Sequence, residues 1–136
     1  GIASIRPPRA GAYGELDVAL DSAGFVAMSR YRGYDWTIRQ YLTLVSSQSW
    51  AWWAQMDCCV EPEIAGDDVT RAFRIAETAR LYGQCAKGAR DEGLPAPMPV
   101  LQGWTPDDYR RSADLLPVCT WPALVGVGSV CRREVG

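Results

Sequence analysis

Hydrophobic positions along this chain fall into two kinds of pattern, short apolar runs and longer stripes with helical spacing. The short runs are Asp17 to Leu20, the aromatic "WAWWAQM" from Trp50 to Met56, the "VLQ" that ends at Gln102, and "ALVGVGSV" from Ala123 to Val130. Each reads as a strand, because β-rich runs of this length bounded by turn formers are too short for typical helices. Trp36 to Gln48 places Ile38, Tyr41, Leu42 and Val45 on one side of a predicted helix. A longer helix is expected from Asp67 to the Gly88–Gly93 region, with Ala72, Ile75, Ala76, Ala79, Tyr82 and Ala86 as its stripe. Asp67 and Asp68 suit its start, since carboxylates accept from free N–H groups there and oppose the helix dipole. The third helix opens at "TPDDY", with Thr105 as N-cap, Pro106 at N1 and Asp108 at capping-box spacing, and presents Tyr109, Ala113 and Leu116 before Pro117.

The resulting order is βαβαβαβ. Alternation of this kind predicts an α/β fold with a parallel sheet and right-handed crossovers, its apolar strands covered by helices on at least one face. Parallel strands end on one rim, so residues distant in sequence converge there. The four predicted ends carry Asp21, Asp57, Gln102 and the segment Gly126 to Ser129. Two carboxylates, an amide and accessible glycine backbone suit a planar ligand with several N–H and C=O groups, such as a purine-like base. Sugar, nucleotide and amino-acid sites use similar groups, so this inventory does not fix a reaction. Asp21 also has an ordinary alternative, because Asp followed by Ser, Ala and Gly is turn chemistry.

Composition narrows the class. The 136 residues are 48% hydrophobic and 22% charged with a formal net charge of −2, as expected for one folded domain. No apolar stretch approaches the roughly 20 residues that span a bilayer, and no signal-peptide-like segment opens the chain, so a cytoplasmic protein without membrane partners is expected. Cys58, Cys59, Cys85, Cys119 and Cys131 form no CxxC pair, and histidine is absent. The usual zinc spacings are therefore missing, as are Ser-His-Asp and Cys-His catalysis, and neither metal nor cofactor is expected within this chain. Cysteines in this arrangement read as small, reduced, buried hydrophobes. Lys87 is the sole lysine among 14 basic residues. Arginine pairs at Arg30/Arg32, Arg110/Arg111 and Arg132/Arg133 suit phosphate contact, although a solvated surface explains each pair taken singly.

Four motifs in order carry a family resemblance. "LDSAGF" resembles the LDSGGF-type motif of the tRNA-guanine transglycosylase superfamily, and "AQMDCCVEP", "VLQGWTPDDY" and "VGVGSVCRR" resemble its later motifs, most closely those of the deazapurine DNA modification branch. The likeness runs from about Leu20 to Arg133. It implies a (βα)8 TIM-barrel enzyme that exchanges guanine in a nucleic acid for a 7-deazaguanine base through attack of an aspartate on the glycosidic carbon. By motif, Asp21 takes the place of the catalytic carboxylate beside sugar and base, which transfers a proton or positions the substrate. Asp57 matches the carboxylate that binds the N–H edge of the base, Gln102 and Gly103 match the pair at its carbonyl, and Gly126, Val127, Gly128 and Ser129 match the pocket-lining segment. Arg132 and Arg133 are given nucleic-acid contact.

Two departures accompany the likeness. Ala23 stands where the motif has a glycine, and neither the family's nucleophilic aspartate nor its Cys/His zinc site has a counterpart among these residues. A barrel of about 250 residues uses roughly 31 per βα unit, so 136 residues make about half of one. The expectation is a partial TIM barrel of about four parallel strands, residues 1–136 forming part of a single domain with 1–15 as an N-terminal loop. Such a fragment, or reduced member, needs the rest of its chain or a second copy to cover its open edges. DNA is the expected nucleic-acid partner ahead of tRNA, with guanine or a 7-deazaguanine as the base. A non-catalytic module that binds deazapurine or nucleic acid is the alternative, and a phosphate-binding metabolic barrel is a third reading that the motif quartet disfavours. Of the tryptophans Trp50, Trp52, Trp53 and Trp104, only Trp104 is expected near the pocket.

Overall fold

The structure is a computed structural model that describes residues 18–24 and 34–130. Its elements are α1 (Ile38–Val45), a 3-10 turn (Pro62–Ile64), α2 (Asp68–Glu92), β1 (Val100–Leu101), α3 (Pro106–Leu115) and β2 (Gly126–Val127). β1 and β2 pair in parallel, Val100 with Gly126 and Leu101 with Val127. Two further parallel bridges, Leu20 with Trp53 and Ala54 with Met98, extend this pairing to four chain segments lying side by side in sequence order.

The strand contacts are shorter than the apolar runs predict, and residues 95–100 explain why. Pro95, Pro97 and Pro99 have no N–H to give a ladder, which leaves Met98 to donate to Trp53 O at 2.8 Å and to accept from Gln55 N at 3.1 Å. Val100 N then bonds the Gln55 side chain at 2.8 Å instead of a neighbouring backbone. A buried glutamine thus completes what a regular ladder would otherwise supply.

α1 is shorter than the predicted Trp36–Gln48. Thr37 caps it in a reciprocal box with Gln40, and the Ser46 and Ser47 hydroxyls turn back onto Thr43 and Leu44 carbonyls, which ends the helix. Its face of Tyr41, Leu42, Leu44 and Val45 is buried.

α2 begins and ends as its sequence implies, with Asp67 accepting from Val69 N and Thr70 N and with Gly93 left-handed at φ 70°. Its stripe is wider than expected. Leu81, Cys85 and Ala89 pack with α1 in one core, while Ala79, Tyr82 and Ala86 pack with Leu116 in another. Ala76, assigned to the stripe by periodicity, is exposed, and Thr78 is buried in its stead because its hydroxyl receives Cys58 N at 2.9 Å. α2 is held between two neighbours, so one 3.6-residue stripe does not describe it. Gly88 lies where a Cβ would strike Leu42, which brings α1 close to α2.

α3 shows the predicted box of Thr105 and Asp108 with Pro106 at the start. It closes one residue before Leu116, whose extended backbone leads out of the helix while its side chain stays buried. Asp108 also accepts from Arg71 Nε at 3.0 Å, joining the N-terminal ends of α2 and α3.

Candidate functional site

Asp21, Asp57, Gln102 and Gly126 through Ser129 line one cavity of about 270 Å³ at the ends of the parallel segments. Its apolar walls include Trp52, Met98, Val100 and Trp104. Trp104 is there as expected; Trp52 is an addition. Alternation along the segment separates Trp52 and Ala54, which face the cavity, from Trp53, which is buried edge-on to Tyr41. A period-2 reading of "WAWWAQM" would have found it. Gly103 is not among the lining residues. It is buried beneath α3, where a Cβ would come within 2.7 Å of Asp108 Cβ and 3.1 Å of Tyr109 N, so the chain packs tightly against that helix here.

Asp57 is the buried centre of the site. Ser22 Oγ donates to its Oδ1 at 3.3 Å, and Gln102 Nε2 donates to its Oδ2. Tyr34 encloses it from the other side. That hydroxyl accepts Asp57 N at 2.8 Å and shares its proton between the Asp57 carbonyl, at 2.8 Å, and Oδ1, at 3.3 Å. Burial pushes the Asp57 carboxyl up to about 6, with the Gln102 hydrogen bond opposing the shift and the charge of Asp21 adding to it. Near neutrality Asp57 is largely ionised and accepts from N–H donors. Tyr34 and the buried Ser22 were not named as site residues from sequence. Ser22 follows Asp21 within the quoted motif, but nothing in spacing links Tyr34 to Asp57.

Gln102 is held at its backbone N and at both ends of its side-chain amide. Its backbone N bonds Ser112 Oγ at 3.1 Å, and its Oε1 accepts from Ser129 Oγ. The Ser129 hydroxyl in turn accepts Val60 N at 2.7 Å. Ser129 has φ 63°, a left-handed conformation uncommon outside glycine. Gly128 must be glycine for another reason: a Cβ there would run into the Gln102 amide. Tyr109 fixes this strand end by donating to Gly128 O at 2.7 Å.

Asp21 stands at the exposed rim of the cavity, and its Oδ1 accepts Ala23 N at 3.3 Å. Turn formation and cavity exposure therefore coexist at this residue. Ala23 adopts φ 59°, a left-handed backbone that glycine takes more readily than alanine. The same turn carries Gly24 against Asp57 and Tyr34, with no room for a Cβ.

Vicinal Cys58 and Cys59 face different spaces. Cys59 lines the base-sized cavity, and Cys58 lines a second one of about 390 Å³ between α1 and α2. Burial pushes both thiols up to about 12, which keeps them protonated and poorly nucleophilic. Among the described residues no cluster of three or more His, Cys, Asp or Glu side chains is arranged to hold a metal. Arg132 and Arg133, and the 1–15 segment, lie outside the described residues.

The family comparison matches residues 8–136 to DpdA, deoxypurine in DNA protein A. The chain belongs to the DpdA family. Membership associates it with deazapurine modification of DNA, in agreement with the branch that its four motifs resemble. No curated protein and no solved structure gives a significant match. Among the described residues of this family member, no helix is long and apolar enough to cross a membrane.

Proposed function

We propose that this DpdA-family chain carries the base-binding part of a transglycosylase that replaces guanine in DNA with a 7-deazaguanine, within a partial TIM barrel. The observation that carries this reading is the buried Asp57–Gln102 pair facing a base-sized cavity. Asp57 accepts the adjacent ring and exocyclic N–H groups of the base, and Gln102 donates to its carbonyl. Trp52 and Trp104 offer aromatic surface for the base plane.

Asp21, at the rim, is the carboxylate suited to meet the sugar and the departing nitrogen. Exchange requires the C1′–N9 bond to break as a carboxylate attacks C1′, with a proton supplied to the leaving base. By the resemblance, the attacking aspartate lies on a later strand than those of this chain. Asp21 has the proton-handling and positioning role. No metal or cofactor step is assigned to these residues.

Testing uses the complete protein with duplex DNA and labelled guanine. Asp57→Asn is expected to weaken binding of guanine or 7-deazaguanine by about 1–3 kcal/mol in calorimetry, the scale of a charge-assisted hydrogen bond. Asp21→Asn is expected to cut exchange by about 10² to 10⁴-fold with little change in thermal unfolding. Base binding without any exchange in the unmodified protein would favour the binding-module alternative. Normal exchange by Asp21→Asn with a lowered melting temperature would return Asp21 to a turn residue.

A further inference from the structure

We propose that the Ser129 hydroxyl determines which end of the Gln102 amide faces the base, and so makes the site select a 6-oxo purine. This inference rests on the base-exchange reading and assigns a specificity-determining role within the same cavity.

The argument follows the hydrogen-bond donors one at a time. Val60 N–H donates to Ser129 Oγ at 2.7 Å, so that oxygen is already an acceptor. Its single proton goes to Gln102 Oε1. With its oxygen held there, Gln102 must turn Nε2 the other way, where one proton reaches Asp57 Oδ2. The second Nε2 proton has no partner among the described residues, and Gln102 lines the cavity. The site therefore presents an amide donor beside a carboxylate acceptor. Guanine and 7-deazaguanine carry the complementary edge, a carbonyl acceptor next to N–H donors.

Asp57 also disfavours a rotated amide, because the Gln102 oxygen would then face a carboxylate. That restraint weakens once the N–H groups of a base occupy Asp57. Ser129 contacts the opposite end of the amide and keeps its hold while the base is bound. The left-handed backbone of Ser129 is the geometry in which this side chain reaches both Val60 and Gln102. A non-glycine residue at φ 63° is costly, and the hydroxyl supplies a reason for serine to occupy it.

The experiment compares guanine with 6-thioguanine, which keeps N1–H and the 2-amino group but replaces the carbonyl oxygen with a weakly accepting sulfur. Calorimetry is run on the complete protein and its Ser129→Ala and Ser129→Gly variants, with thermal unfolding checked in parallel. The unmodified protein is expected to prefer guanine by roughly tenfold or more, the value of one well-placed hydrogen bond. Both variants are expected to cut that preference at least fivefold, mainly through weaker guanine binding. Glycine accepts the left-handed backbone without strain but has no hydroxyl, so it separates the two roles. Preference restored in Ser129→Gly and lost in Ser129→Ala would make Ser129 a backbone element and overturn the proposal. Unchanged preference in both folded variants would overturn it equally. If the unmodified protein binds neither base, the base-exchange reading itself fails and the Ser129 role fails with it.

Discussion

Tyr34 shows how one side chain tunes a site without itself lining the cavity. Its hydroxyl holds both the backbone and the carboxylate of Asp57, and burial raises its own pKa well above the phenolic range, so it stays a neutral donor. Hydrogen bonds to the ionised form favour that form. Tyr34→Phe is therefore expected to move Asp57 ionisation further above its present value of about 6. On the proposed reading base affinity needs ionised Asp57, so it should rise with pH in both proteins but with a later midpoint in the variant. Calorimetric affinities between pH 5 and pH 8 measure that midpoint, and coincident profiles would separate Tyr34 from Asp57. Sequence reading reached Asp21, Asp57, Gln102 and the glycine segment because each ends a recognisable apolar run. It missed Tyr34 and Ser112, whose contributions depend on contacts 23 and 10 residues away in sequence. Gly103 was matched by motif, with Gln102, to the pair at the base carbonyl; the structure sets it against Asp108 and not among the residues that line the cavity.

Elements with strong end signals were the most legible. Thr105, Pro106 and Asp108 mark the start of α3 in sequence and in structure, as Asp67 and Gly93 bound α2. Strand extents were harder to read, since the side chain of Gln55 takes over a ladder position that no local pattern reports. α2 shows a related limit: two packed faces produce two overlapping stripes, and Thr78 enters the core through a hydrogen bond rather than hydrophobicity. α3 links local capping to the site, because Ser112 holds Gln102 N and Tyr109 holds Gly128 O. Thr105→Ala removes the capping oxygen from Asp108 N and is expected to cost about 1 kcal/mol of unfolding free energy. Guanine affinity should fall as well, since the start of α3 underlies both contacts. Chemical denaturation and calorimetry on the same variant measure the two effects.

Across the whole molecule, the buried carboxylate couples folding to pH. Asp57 has its folded-state pKa raised from 3.8 to about 6, so the folded protein retains a proton that the unfolded chain releases first. Its contribution to stability is full below about pH 4 and is lost as pH rises to about 6. Asp57→Asn removes this dependence, and unfolding curves of the two proteins at pH 4.5 and pH 7 should show the wild type losing on the order of 1–3 kcal/mol relative to the variant. A parallel α/β arrangement was legible from the βαβ order, and the four side-by-side segments follow it. That order also governs the sequence in which the cavity can be assembled. Asp57 and Gln102 are 45 residues apart, and Val60 and Ser129 are 69 apart. During synthesis from the N-terminus, Asp57 emerges long before the amide that meets it, and the serine that fixes that amide emerges later still. Until then the nascent chain carries a carboxylate with no complete pocket around it, and the cavity closes only when the chain has been made as far as Ser129.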